Sequence, residues 1–244
     1  MEAIVIRDRY KVVQVLRVQE GYAAVRAVDI QDRETPRRLI NLYEGPLLHQ
    51  YGPLYMKLDR RECPAFRDFF LENGTLAAVF DDCSGTSIDR VFYRGDRWDW
   101  RTRMEMAETV LHRAMTLTNL PPEIGCAALL SENLYPNPKD RKLSVRFLAA
   151  PWEGMNSREL ALLAGDQVKK ILPRRWSTQP AQARFLDSLD RGERRTAAAL
   201  YAWWRETRGA MEEENTRWEG LNVVQKCLDF LKRWFVRRKE RKRA

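Results

Sequence analysis

From residue 10 to residue 80 the apolar side chains come in short runs between polar turns, the pattern of half-buried strands. Tyr10–Leu16, Ala23–Asp29 and Arg38–Tyr43 predict three strands, separated by polar breaks at Arg17–Tyr22 and Ile30–Pro36. Phe66–Leu71 and Leu76–Phe80 predict two more. Glu72-Asn73-Gly74-Thr75 lies between them, and Asn-Gly is a strong signal for a tight hairpin. Five antiparallel strands follow from this pattern. After residue 86 the period changes. Thr86-Ser87 can cap a short helix from Ile88. Met104, Ala107, Val110, Leu111, Ala114 and Met115 recur at spacings of three and four, so Trp100–Leu117 reads as an amphipathic helix ended by Pro121-Pro122.

Leu54–Arg61 reads as a short helix, whereas Ile124–Tyr135 and Lys142–Leu148 read as extended pieces around the turn Pro136–Asp140. Arg158–Leu172, Ala181–Leu189 and Arg194–Arg208 predict further helices, the last loaded with Trp203 and Trp204. Glu212-Glu213-Glu214 reads as a surface kink before a final helix, Trp218–Lys239. On that helix Trp218, Leu221, Val224, Leu228, Leu231 and Phe235 form one apolar face beside Trp234, and Lys226, Lys232, Arg233, Arg237 and Arg238 fill the rest.

Composition changes this picture in one place. The 244 residues have a formal net charge of +9, but eight of the 43 Lys and Arg fall between Lys232 and Ala244 against one Glu. That tail carries +7, and the remaining 35 basic and 33 acidic residues make a near-neutral body. No apolar run is long enough for a membrane helix, and the charged start MEAIVIRDRYK does not read as a signal peptide. Cys63, Cys83, Cys126 and Cys227 are scattered, as buried thiols rather than a disulfide framework would be. Two His and no Cys-x-x-Cys give no basis for a zinc site.

Strand, Asn-Gly turn, strand, the acidic linker Asp81–Gly85 and a short helix resemble the last two N-lobe strands, hinge and first C-lobe helix of a protein kinase. The resemblance spans about Tyr10 to Arg208 and rests on the order and spacing of elements. It implies an α+β, bilobal protein kinase-like fold with a five-stranded antiparallel N-lobe and a compact, mostly helical C-lobe. The implied boundaries are an N-lobe at 1–80, a hinge at 81–85, a C-lobe at 86–211 and a basic amphipathic helix and tail at 212–244.

The residues at the kinase motif positions lack kinase chemistry. A glycine-rich loop lets the backbone approach the ATP phosphates; Arg17, Gln19 and Tyr22 stand at its positions. The third strand of a kinase ends in the lysine that holds two phosphates; the match here is Asn41, with no acidic residue between Glu44 and Asp59 to pair with a cation. The catalytic loop aligns with Cys126–Asn133, placing Cys126, Ala127 and Ala128 on its His-Arg-Asp, so no carboxylate is left to orient a substrate hydroxyl. The magnesium-binding motif falls on Phe147-Leu148-Ala149, again without a carboxylate. The stretch Cys126–Asn133 ends in the same Glu-Asn as the kinase loop, Glu132-Asn133, and Asn133 stands at the position of the second metal ligand.

The resemblance therefore implies a pseudokinase: no phosphoryl transfer, no cofactor, no bound metal, and a scaffold or regulatory role toward protein partners. The expected location is cytoplasmic, with Trp218, Leu221, Leu228, Leu231, Lys232, Arg233, Trp234, Phe235, Arg237 and Arg238 set to meet a partner or an anionic membrane surface. Two other readings stay open. One is an atypical active kinase or nucleotide transferase using displaced residues; the other is a nucleic-acid-binding module driven by the tail, although no nucleic-acid motif is present.

Overall fold

A computed structural model of the chain describes residues 4–34, 36–93, 95–152, 154–175 and 177–231. The first third forms an antiparallel sheet in the order β1-β2-β3-β4-β6-β5. Its strands are β1 (Val5–Ile6), β2 (Tyr10–Gln19), β3 (Tyr22–Asp29), β4 (Arg37–Tyr43), β5 (Phe66–Glu72) and β6 (Thr75–Asp81). There are six strands rather than five. The added one has two residues, too few to show a period, and Arg7 and Asp8 turn it back onto β2 with φ of 52° and 50°. Strand β2 also runs past the expected break at Arg17. The turn comes at Glu20-Gly21, where Gly21 takes φ +66° and Gln19 pairs with Tyr22. The Asn73-Gly74 hairpin has positive φ at both residues, 49° and 78°, and joins Glu72 to Thr75 in register.

Helix α1 (Pro46–Met56) begins eight residues earlier than Leu54 and ends before Arg61. Its prolines look like breakers in the sequence. Pro46 opens the helix, where a missing N–H costs nothing. Alternation along β4 turns Leu39, Asn41 and Tyr43 toward α1 and the helical portion. Arg38 and Ile40 face the other way, where Ile40 joins a small second core with Tyr10, Val25 and Val79 and Arg38 pairs with Asp29, Asp32 and Asp81.

The helical portion contains α2 (Ile88–Val91), α3 (Trp100–Leu117), α4 (Pro122–Ala128), α5 (Ser157–Ile171), α6 (Pro180–Asp190) and α7 (Ala197–Glu219), with the hairpin β7 (Leu134–Asn137)–β8 (Lys142–Val145) between α4 and α5. The long helices carry the caps their sequences supply. Asp99 accepts from Thr102 N–H at 2.8 Å, Asn156 from Arg158 N–H at 2.8 Å, and Thr196 from Ala199 N–H at 3.1 Å. The amphipathic face of α3 packs on α5 and α7, and α6 closes the bundle, with Trp204 and Phe185 edge to face at its centre.

Two sequence expectations fail here. Residues 124–135 are not extended: α4 occupies the first part and a 3₁₀ turn, Ser131–Asn133, precedes β7. A Cβ on Gly125 would lie 2.8 Å from the Leu117 carbonyl oxygen, so glycine is what lets α4 sit against the end of α3. Nor do Glu212–Glu214 kink the chain. Glutamate is a good helix former, Glu212 and Glu213 pair one turn away with Arg208 and Arg217, and α7 runs unbroken to Glu219. The break comes at Gly220, after which residues 223–231, α8, are helical again. Among the described residues no helix is long and apolar enough to cross a membrane.

Candidate functional site

The motif positions read from the sequence meet where the sheet faces the helical portion, and Asn41 is the hub. Its position on β4, between Leu39 and Tyr43, aims its amide at residues 147–149, a segment more than 100 residues further along the chain. Asn41 Nδ2 donates to the Phe147 carbonyl at 2.9 Å. Its Oδ1 accepts from the Ala149 N–H at 3.0 Å and from the Tyr22 hydroxyl at 2.8 Å. Tyr43 adds a parallel link: its hydroxyl donates to the Ala149 carbonyl at 2.8 Å and lies 2.7 Å from the Tyr55 hydroxyl of α1. Asn41, Tyr43 and Tyr55 are fully buried.

The space beside this clasp is filled by rings. Phe147 stacks on Phe80, with centroids 5.2 Å apart and planes 11° from parallel, and Tyr55 meets Phe80 edge-on. Burial pushes the phenols of Tyr22, Tyr43 and Tyr55 well above their ordinary range, and that of Tyr51 to about 12. All four are neutral at physiological pH, and their contacts are those of uncharged hydroxyls. The cluster of aromatic rings and one amide has no fixed charge with which to face a phosphate.

Asn133 makes the second clasp. It ends the 3₁₀ turn, is fully buried, and its Nδ2 donates to the carbonyls of Ala127 at 2.7 Å and Leu148 at 3.1 Å. Its Oδ1 has no hydrogen-bond partner among the described residues. The side chain thus staples the end of α4 to the segment that Asn41 holds from the other side. Cys126, Ala127 and Ala128 are buried on α4. Burial, reinforced by Glu159 and Glu123, pushes the Cys126 thiol to about 12, so it is protonated and unreactive. Among the described residues no group of three or more His, Cys, Asp or Glu could hold a metal ion.

Ion pairs that sequence reasoning missed flank the two clasps. Arg146, at the end of β8, donates to the Cys83 carbonyl at 3.2 Å, reaches Asp82 at 3.3 Å and lies over the Tyr135 ring at 4.8 Å. Arg26 of β3 binds the other oxygen of Asp82, which is buried. Asp82 was legible as part of an acidic linker, but no local pattern pairs it with an arginine 64 residues away. From the end of β2, Arg17 meets Glu132 at 2.8 Å and Gln19 reaches the Pro151 carbonyl at 3.5 Å. The Arg17 pair is exposed and contributes about 0–1 kcal/mol. It is a contact between two of the degenerate motifs, the end of β2 and the turn before β7.

The C-terminal residues do not form the single face their spacing predicts. Trp218 belongs to α7 and is buried, with the Lys226 ammonium 6.0 Å above its ring, and Leu221 is half-buried at the break. Leu228 and Leu231 are exposed on α8. Lys232, Arg233, Trp234, Phe235, Arg237 and Arg238 lie outside the described residues. Trp204, read from the sequence as core or interface, is core.

This architecture has solved counterparts. A Mycobacterium tuberculosis PknI kinase domain, in a single-mutant form, matches with a TM-score of 0.53 and 14% identity over 88% of this chain and 99% of that one. The fold is protein kinase-like. A pseudokinase solved in its apo form matches with a TM-score of 0.51 and 14% identity, over 79% of this chain and 90% of that one. A double-mutant form of the PknI domain gives 0.52 at the same identity. No family model matches the sequence, and no curated protein does. At this identity the likeness concerns the fold alone. Asn41, Asn133, Phe147 and their partners lie where the sheet of this fold meets the helical portion.

Proposed function

We propose that this kinase-like chain is a pseudokinase, a protein-binding scaffold or regulatory module without phosphoryl transfer. One observation supports the reading: Asn41 and Phe147, which stand at motif positions where a kinase carries charge, are buried in contacts with the chain's own groups. Phosphoryl transfer is catalysed almost wholly by positioned charge, from a lysine, metal-binding carboxylates and an aspartate that receives the hydroxyl proton. Asn41, Ala128 and Phe147 supply none of it. Arg38, the cation nearest to Asn41 in sequence, points to the opposite side of the sheet and is engaged with three carboxylates.

In this reading the lobes are divided at the Asp81–Gly85 linker, as the sequence suggests, but the C-lobe extends through α7 to Glu219 rather than ending at 211. With the cleft occupied from within, partner binding belongs on outer surfaces. The groove of about 540 Å³ beside the linker, lined by Gly85, Asp89, Glu132 and Tyr135 among others, suits an extended segment of a protein partner.

Incubation with Mg·[γ-³²P]ATP and generic protein acceptors tests the reading. We expect no incorporation, into acceptor or into the chain, above that of the Asn133→Ala variant. Incorporation by the unmodified protein that Asn133→Ala abolishes would make it an enzyme using displaced residues.

A further inference from the structure

Helix α8 faces the wrong way for a helix docked on its own domain. At about 100° per residue, Val223, Val224, Leu228 and Leu231 fall within one arc of about 140°, opposite Lys226 and Asp229. A helix packed on a core turns such an arc inward. Here the arc is exposed, with Val223 at 77%, Val224 at 68%, Leu228 at 52% and Leu231 at 46%, while Lys226 and Asp229 are half-buried.

Nor is α8 a frayed end of α7. Gly220 interrupts the chain, and the new helix is capped reciprocally: Asn222 Oδ1 accepts from Gln225 N–H at 2.9 Å, and Gln225 Oε1 accepts from Asn222 N–H at 3.0 Å. Lys226 ties the first turn to the body, through the Glu219 carbonyl at 3.3 Å and the Trp218 ring. The helix is therefore encoded, fixed at its start, and presents aliphatic side chains to solvent.

Charge identifies the occupant. The sequence that follows immediately, Lys232 to Ala244, carries eight of the chain's 43 basic residues and one acidic residue. A partner must accept a strip of aliphatic side chains beside a dense positive charge. An anionic lipid surface offers both, with acyl chains beneath a layer of negative headgroups. We propose that α8 is an interfacial membrane anchor: Val223, Val224, Leu228 and Leu231 enter the headgroup–acyl boundary of an anionic bilayer, and the adjoining basic segment binds its headgroups. This goes beyond the pseudokinase reading and does not depend on it.

Flotation of the full chain with vesicles of phosphatidylcholine alone, or mixed with phosphatidylserine, decides the matter. We expect association with the mixed vesicles only, weakening as salt is raised. The double variant Leu228→Asp, Leu231→Asp alters exposed positions, so its fold and melting point should be unchanged while partitioning drops about a hundredfold or more. Neutralising Lys232, Arg233, Arg237 and Arg238 with glutamine should lower it several hundredfold, at roughly fivefold per charge. Equal binding to both kinds of vesicle, or binding to neither, overturns the proposal. So does a dimer in sedimentation that the double Asp variant abolishes without any flotation. Salt-dependent retention of DNA or RNA in place of vesicle binding overturns it too.

Discussion

Replacing Asn41 with leucine should lower the unfolding free energy by about 4 kcal/mol, although the two side chains are close in size and neither carries charge. The loss comes from what the amide leaves behind. The Tyr22 hydroxyl, the Ala149 N–H and the Phe147 carbonyl all depend on it, and all lie in the buried layer between sheet and helices. An unpaired buried donor or acceptor costs about 1–3 kcal/mol, and leucine leaves three. For a chain of this size the melting temperature should fall by on the order of 10 °C, at about 2–4 °C per kcal/mol. Tyr22→Phe removes one donor while Asn41 Oδ1 keeps its bond from Ala149, so it should cost only about 1 kcal/mol. Combining it with Asn41→Leu should add little, because the orphaned hydroxyl is then gone. Urea melts of the four proteins measure both differences. Equal losses for the two single variants would mean that Asn41 is not the hub.

Phe147→Ala should cost about 3–5 kcal/mol, the usual range for emptying a buried aromatic site. The segment around Phe147 is held by its backbone, through Asn41, Asn133 and Tyr43, so its path should survive truncation of the ring. What opens is a void against Phe80, in the region where a kinase-like fold would hold a nucleotide. Phe147→Leu should recover most of the loss, because it restores volume without a ring. A Phe147→Ala protein that melts within a degree of the original would show that the ring is not packed in the cleft.

The alternating runs and the Asn73-Gly74 turn made most of the sheet readable, because period and turn chemistry are local properties. Strand β1 was not readable, since two residues carry no period. Helix α1 was shifted because the prolines in residues 46–53 look like breakers until Pro46 is placed at the helix start. The stretch 124–135 was read as extended, when its first half is a helix whose approach to α3 depends on Gly125. The glutamates of 212–214 suggested a kink by their charge, but pairing with Arg208 and Arg217 keeps them helical. As for the site, what each motif position lacks can be read directly: an amide in place of an ammonium at 41, a methyl group at 128, a ring at 147. What fills the gap cannot. Tyr22, Tyr43 and Tyr55 come from β3, β4 and α1, and Arg146 meets Asp82 and Cys83 from 63–64 residues away; only the packed chain brings these groups together.

We propose that side chains of the protein itself fill the space where its sheet meets the helical portion and offer a nucleotide no binding site. Thermal unfolding with and without Mg·ATP measures this most directly. Nucleotide at a hundred times its dissociation constant would stabilise the folded protein by about 2.7 kcal/mol, which for this size of chain is a rise of about 5–10 °C. No rise beyond experimental scatter is expected at millimolar Mg·ATP. A rise of several degrees that Asn133→Ala removes would contradict it.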